Sequence, residues 1–242
     1  MSNQKPWFTE NAFATGDRSL EEARKAQKEQ LAKMTPRFFL KKGAEFAKHI
    51  MFVDDRPFGY YEHELKINGR WGNYFTCLKG TSRCPLCEAG IKNYYIGLLT
   101  IVDFEGYEDS KGIRHKNLVR LFAAKMDTLD ILKYKKQNHG LALCIYKVAR
   151  LGDKAPRVGD NFDFVKKLNA ITDLNISAFS LGPQTQVSPK DLKPFDYVDI
   201  AKPLSIEELE RISGTHERDS DEDGSGTDEV VGVSTESDDL PF

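Results

Sequence analysis

The chain has 242 residues, 40 % hydrophobic and 30 % charged, with a net charge of −2 at pH 7. That length supports one sizeable core with appendages, and no apolar run approaches the ~20 residues a membrane helix needs. Charge is segregated. Residues 217–242 hold ten carboxylates and one base, Arg218, a net −9, which leaves +7 on residues 1–216. A basic body with an acidic tail points to a polyanion-binding surface and a segment that competes for it.

Residues 1–18 are polar and aromatic without periodicity and read as a loose arm. No basic start leads into an apolar stretch, so no secretory signal is expected and the location is cytoplasmic. Ser19-Leu20-Glu21-Glu22 is a capping box, and a helix with a thin apolar stripe is expected over 20–34, ending before Pro36. From Arg37 the texture turns to strands: Phe38-Phe39-Leu40, then Ile50–Val53, then Phe58–Ile67. Asn68-Gly69 is a hairpin signal, with Trp71–Thr76 returning.

The stretch from His63 to Gly90 organises the chain. Cys84-Pro85-Leu86-Cys87 is a C-x-x-C knuckle, and Cys77 lies six intervening residues before it. With His63 these residues could close a tetrahedral zinc site, and four such ligands make a structural site rather than a catalytic one. His49 and Cys144 are the rivals for the fourth place. Cys144 sits in the apolar run LALCIYKV, where a free cysteine is usually a small buried hydrophobe. Clustered thiols without a signal suit metal, not disulfides.

Beyond the knuckle, Ile96–Phe104 is nearly all apolar, as a strand buried on both faces would be. Asp109–Gly112 reads as a turn and Leu118–Ala124 as a strand. A helix follows, capped by Asp127 and ended by Gly140. Leu141–Val148 and Asn161–Leu168 read as strands, and 169–204 has no order that the pattern supplies. Ser205-Ile206-Glu207-Glu208 opens a short helix over 205–216. Residues 217–242 carry too many like charges and too few apolar groups to fold. Strands, a late helix, then more strands give a mainly β protein. They suggest an OB-fold-like small Greek-key barrel over 36–204, with the zinc subdomain at 63–90 inserted between strands.

Aromatic residues stand beside bases throughout the body. Single-stranded nucleic acid binders need this pairing, cations for phosphates and rings for unpaired bases. Alternation sends about half the strand rings inward. Tyr61, Trp71, Tyr74 and Tyr107 are the expected exposed rings, with Lys41, Lys42, Arg70, Lys79, Arg83, Arg114 and Lys116 as phosphate contacts. No catalytic constellation assembles, and an enzyme is not expected. The end, Asp238-Asp239-Leu240-Pro241-Phe242, is an apolar tip on an acidic string, suited to a basic-rimmed pocket on another protein.

FFLKKG, IMFVDD, YEH, FTCL, CPLCEAG and the order His63, Cys77, Cys84, Cys87 resemble the zinc-containing single-stranded DNA-binding proteins of tailed bacteriophages. The motif covers about residues 37–125. The tip DDLPF is similar to the acidic tip of bacterial single-stranded DNA-binding proteins. The resemblance implies an OB fold, one structural zinc, and sequence-independent coating of single strands in DNA replication, recombination and repair. It further implies recruitment of replication and recombination enzymes by residues 238–242, self-association through the N-terminal arm, and a host-cytoplasm location. The rival expectation is a zinc-ribbon transcription or recombination regulator that contacts duplex DNA or a polymerase.

Overall fold

The structure, a computed structural model, describes residues 36–214 except 68, 110, 183 and 184. The expected N-terminal helix and the acidic segment with its tip, Asp238–Phe242, lie outside the described residues. The strands are β1 Gly43–Phe52, β2 Phe58–Ile67, β3 Arg70–Thr76, β4 Asn93–Asp103, β5 Tyr107–Glu108, β6 Arg114–His115, β7 Leu118–Lys125, β8 Cys144–Arg150, β9 Asn161–Lys167, β10 Phe179–Ser180 and β11 Gln186–Val187. The helices are α1 Pro85–Glu88, α2 Met126–His139, α3 Tyr197–Ile200 and α4 Ile206–Ser213. The protein is mainly β. Its main sheet runs β11-β10-β7-β4-β1-β8-β9, with β2 joined to β4 and β3 to β2, while β5 and β6 form a separate hairpin.

Strand β4 is the spine. Residues 96–103 are all buried, because β4 is paired along both edges and covered on both faces. One edge pairs with β7 from Ile96 to Asp103. The other edge is shared: β1 takes Ile101–Asp103 and β2 takes Asn93–Leu98. Strands β1 and β2 therefore lie end to end along β4, interrupted at 53–57. Pro57 has no N–H for a ladder there. Asp54 repairs the gap, its Oδ1 accepting from Thr100 N at 3.1 Å while Tyr197 donates to Oδ2. Thr100 Oγ1 lies 2.7 Å from the Tyr197 hydroxyl and accepts from Phe195 N at 2.9 Å. The C-terminal segment is thereby fastened to the sheet at the strand break. Burial holds the Asp54 carboxyl above its ordinary pKa.

Two apolar layers sandwich the sheet. On one face Phe52, Leu99, Phe122, Tyr146 and Phe162 pack with Phe38, Leu40 and Leu132 of α2. The Phe52 ring meets Phe122 edge-on at 5.4 Å. On the reverse face Met51, Val102, Val119 and Ile145 lie against Leu168, Phe179 and Leu192. Each such large side chain contributes ~1.5–3 kcal/mol on burial. The stretch 169–204 thus has a physical role: its short elements lie over one side of the sheet.

Several expectations are corrected. The barrel is not closed, since the hydrogen-bonded path ends at β11 and β9. The segment 36–40 reaches both β7 and the β8–β9 connection, with Phe38 N to Leu121 O at 2.8 Å and Leu40 N to Arg157 O at 2.7 Å. It gives isolated bonds rather than a ladder, so Arg37 makes a single bridge to Leu121 and Phe38-Phe39-Leu40 forms no strand. Strand β1 begins at Gly43, not Ile50, because pairing with β8 through a bulge between Gly43 and Lys48 extends it over AEFAKH. Asp127 sits in the first turn of α2, and Lys125 holds the cap position. The β8 strand starts later than expected, after Leu143 at φ 61°. Gly140 does end α2, at φ 80°, and Ser205 does cap α4, with Glu208 N donating to Ser205 Oγ at 3.2 Å.

Candidate metal centre

His63 lies on β2, Cys77 follows β3 directly, Cys84 caps α1 and Cys87 lies within α1. The β2–β3 hairpin brings the first two together, with Ile67 opposite Arg70 and His63 opposite Phe75. Gly69, at φ 73°, supplies the left-handed turn this two-residue loop needs. Pro85 at the first helical position, where a missing N–H costs nothing, starts the single turn that swings Cys87 back toward Cys84.

One ligand atom from each of the four residues lies within 4.8 Å of every other. Cys77 Sγ is 3.9 Å from Cys84 Sγ and 3.5 Å from Cys87 Sγ. His63 Nε2 is 3.5 Å from Cys84 Sγ and 3.6 Å from Cys87 Sγ. A four-coordinate ion with metal–sulfur bonds of ~2.3 Å and metal–nitrogen bonds of ~2.0–2.1 Å has tetrahedral edges of about 3.8 Å (S–S) and 3.6 Å (S–N). These four separations match the edges of that cage. The rivals are elsewhere: His49 Nδ1 pairs with Glu105 at 2.7 Å, and buried Cys144 belongs to the main core.

The surroundings suit ligation. His63 Nδ1 donates to Lys92 O at 3.1 Å, which turns the bare Nε2 toward the sulfurs. Burial lowers the His63 pKa, the direction that favours the neutral ring a metal needs. Asn93 Nδ2 donates to Cys77 Sγ at 3.2 Å, and Lys79 N does so at 3.4 Å. Burial and the neighbouring Cys77 and Cys84 thiols push the Cys87 thiol up to about 12. Three thiols this close cannot all ionise beside one another, and a dication among them removes that obstacle.

The same sheet face carries an aromatic platform. Side chains two apart on a strand share a face, so Tyr61 and His63 are neighbours there, as are Asn93 and Tyr95. Tyr61 pairs with Tyr95 across β2 and β4, and its carbonyl accepts from Cys77 N at 2.8 Å. Both rings are exposed, by 51 % and 37 %, and they meet edge-on at 5.3 Å. Gly59 leaves the space that the Tyr95 hydroxyl occupies, since an added Cβ would sit 1.9 Å from it. Exposed Lys79 and Lys92 flank this corner.

The other expected contact residues are placed unevenly. Trp71 is 50 % exposed near the β2–β3 tip, and the Arg70 side chain lies outside the described set. Lys41, Arg114 and Lys116 are exposed, while Lys42 pairs with Asp153. Arg83 is exposed but engaged, donating from Nε to Glu88 Oε2 at 2.8 Å and from Nη1 to Glu210 at 2.8 Å. Two rings are corrected. Tyr74 is half-buried under the Arg37 guanidinium, 3.5 Å from its centroid, and Arg37 in turn forks onto Glu62 at 2.8 and 2.6 Å. Tyr107 is half-buried, stacked on His115 at 4.9 Å and beside Arg120. Sequence reading passed over Tyr95, whose signal was the Lys92-Asn93-Tyr94-Tyr95 run, and Tyr94 with Lys125 4.3 Å above its ring.

Compared with family models, with curated proteins and with solved structures, the chain gives no significant match. No helix among the described residues is long and apolar enough to cross a membrane.

Proposed function

We propose that this chain is a sequence-independent single-stranded DNA-binding protein whose sheet is a variant of the OB fold and whose four-ligand cage holds one structural zinc. The observation that carries this reading is the exposed Tyr61–Tyr95 pair, built against the cage on the same sheet face. A sulfur-rich cage with four protein donors leaves no open coordination position for substrate, so the metal shapes the surface rather than reacting. Exposed tyrosines offer faces to unpaired bases at ~1–3 kcal/mol each. Lys41, Lys79, Lys92, Arg114 and Lys116 offer charge to phosphates.

The same reading gives the acidic segment two roles. At −9 it competes with DNA for the basic surface, and its Leu240-Pro241-Phe242 tip recruits replication and recombination proteins. Coating single strands in the cytoplasm of a bacteriophage's host is the setting the sequence resemblance suggests, with neighbouring copies meeting through residues 1–35.

Fluorescence titration with oligo-dT and with duplex of equal length, at two salt concentrations, tests the reading. Single strands should bind tighter, with log affinity falling by ~0.7 per phosphate neutralised for each log unit of salt. Equal or tighter binding of duplex would instead favour a zinc-ribbon regulator. Deleting residues 217–242 should tighten oligo-dT binding and abolish partner recruitment.

A further inference from the structure

Helix α4 is the last described element before the acidic segment, and it packs on α1 of the metal knuckle. Its apolar residues fall at Ile206, Leu209 and Ile212, three apart and therefore on one side. Leu209 is fully buried in a small cluster with Leu65, Leu78, Cys84 and Leu86. One of those partners, Cys84, is itself a metal ligand. Arg83, the residue before that ligand, bridges Glu88 of the knuckle to Glu210 of α4. Exposed ion pairs of this kind add little, so α4 is held mainly by Leu209 and its neighbours.

Neither partner of this contact is stable by itself. Helix α1 is one turn of four residues and α4 has eight, both far below the ~12–15 residues an isolated helix needs in water. The knuckle cluster contains five buried residues, and its shape depends on Cys77, Cys84, Cys87 and His63 meeting around one point. Upstream, the chain is fastened differently. Tyr197 bonds Asp54 and Thr100 in the sheet body, and Ala201 O accepts from Thr76 Oγ1 at 2.8 Å.

We infer that the metal centre is the anchor of α4, and through it sets where the acidic C-terminal segment leaves the body. This rests on the metal reading above and is independent of what nucleic acid the chain binds. With metal bound, the described chain ends docked on the knuckle through Leu209. With metal removed, the departure point falls back to about Tyr197, whose bonds to Asp54 and Thr100 in the sheet body need no metal. Metal occupancy thereby controls whether the chain stays docked as far as Gly214.

Hydrogen exchange on the full chain tests this. Metal content is measured first, then exchange is followed before and after a zinc chelator and after zinc is restored. Exchange in 77–92 and in 206–213 should speed up together by at least about tenfold. Peptides covering 195–201 should keep their protection, and zinc should reverse the change. Leu209→Asp should release 206–213 alone, with metal content unchanged. Unaltered exchange in α4 after complete metal loss would overturn the anchor while leaving the metal site standing. Protein that carries no metal and takes up no added zinc would overturn both.

Discussion

The sheet body and the metal knuckle are stabilised in different ways. The body buries aromatic and aliphatic side chains on both faces of β4 and its neighbours, in two large clusters. The knuckle holds a single helical turn, a hairpin end and α4 around a handful of leucines. The first has two extensive buried layers. The second is small, and its four candidate ligands meet at one point, the arrangement by which small metal-bound units are generally held together. On the proposed reading the chain combines a platform that needs no metal with an arm that does, and the exposed tyrosines lie where the two meet.

Cys87→Ser should separate them most sharply. Metal content should fall from about one per chain to none, and the knuckle should lose its amide protection. The sheet body should still melt cooperatively, because local opening need not reach the global core. Elemental analysis and exchange on one sample check this. Phe122→Ala is the converse. It empties the middle of the main core, where Phe38, Phe52 and Phe162 all contact that ring, and should cost ~3–5 kcal/mol in denaturant melts without changing metal content.

Substitutions at the junction should spare both. Tyr61→Ala and Tyr95→Ala should each weaken oligo-dT binding by ~1–3 kcal/mol, roughly 5–150-fold, at unchanged melting and metal content. Tyr74→Ala should weaken it less, since the Arg37 guanidinium already lies over that ring. Anisotropy titrations of the three variants rank them.

The smallest effect is expected at Asp54. Its carboxyl titrates above the ordinary value because it is buried, so the folded chain holds that proton more tightly than the unfolded one. The resulting stabilisation is full below the unfolded value of ~3.9 and is lost as pH rises through the folded value. Asp54→Asn keeps an acceptor for Thr100 N and cannot ionise. Its stability relative to the natural chain should rise across that window, as urea melts at several pH values will show.

The two regions also differed in how legible they were. The knuckle is local in sequence: C-x-x-C, a near cysteine and Asn-Gly at a hairpin tip encode their own geometry within 25 residues, and the cage stands where the spacing put it. Helix ends with short-range signals, Gly140 and Ser205, were equally readable. What escaped depends on distant partners. Strand β1 is lengthened by β8, about a hundred residues away, over a stretch with no apolar alternation. Tyr74 and Tyr107 look like exposed rings beside their sequence-neighbour bases, but each meets a base the sequence does not set beside it, Arg37 and Arg120. The docking of α4 on the knuckle could not be read either, since Leu65 and Leu209 are joined only by the fold.

The most direct measurement is the oligo-dT affinity of the full chain with metal and after its removal, taken alongside the melting of the sheet body. If the cage shapes the tyrosine face, stripping the metal should weaken binding at least about tenfold while the body melts as before. Undiminished affinity in a metal-free chain with an intact body would contradict the account.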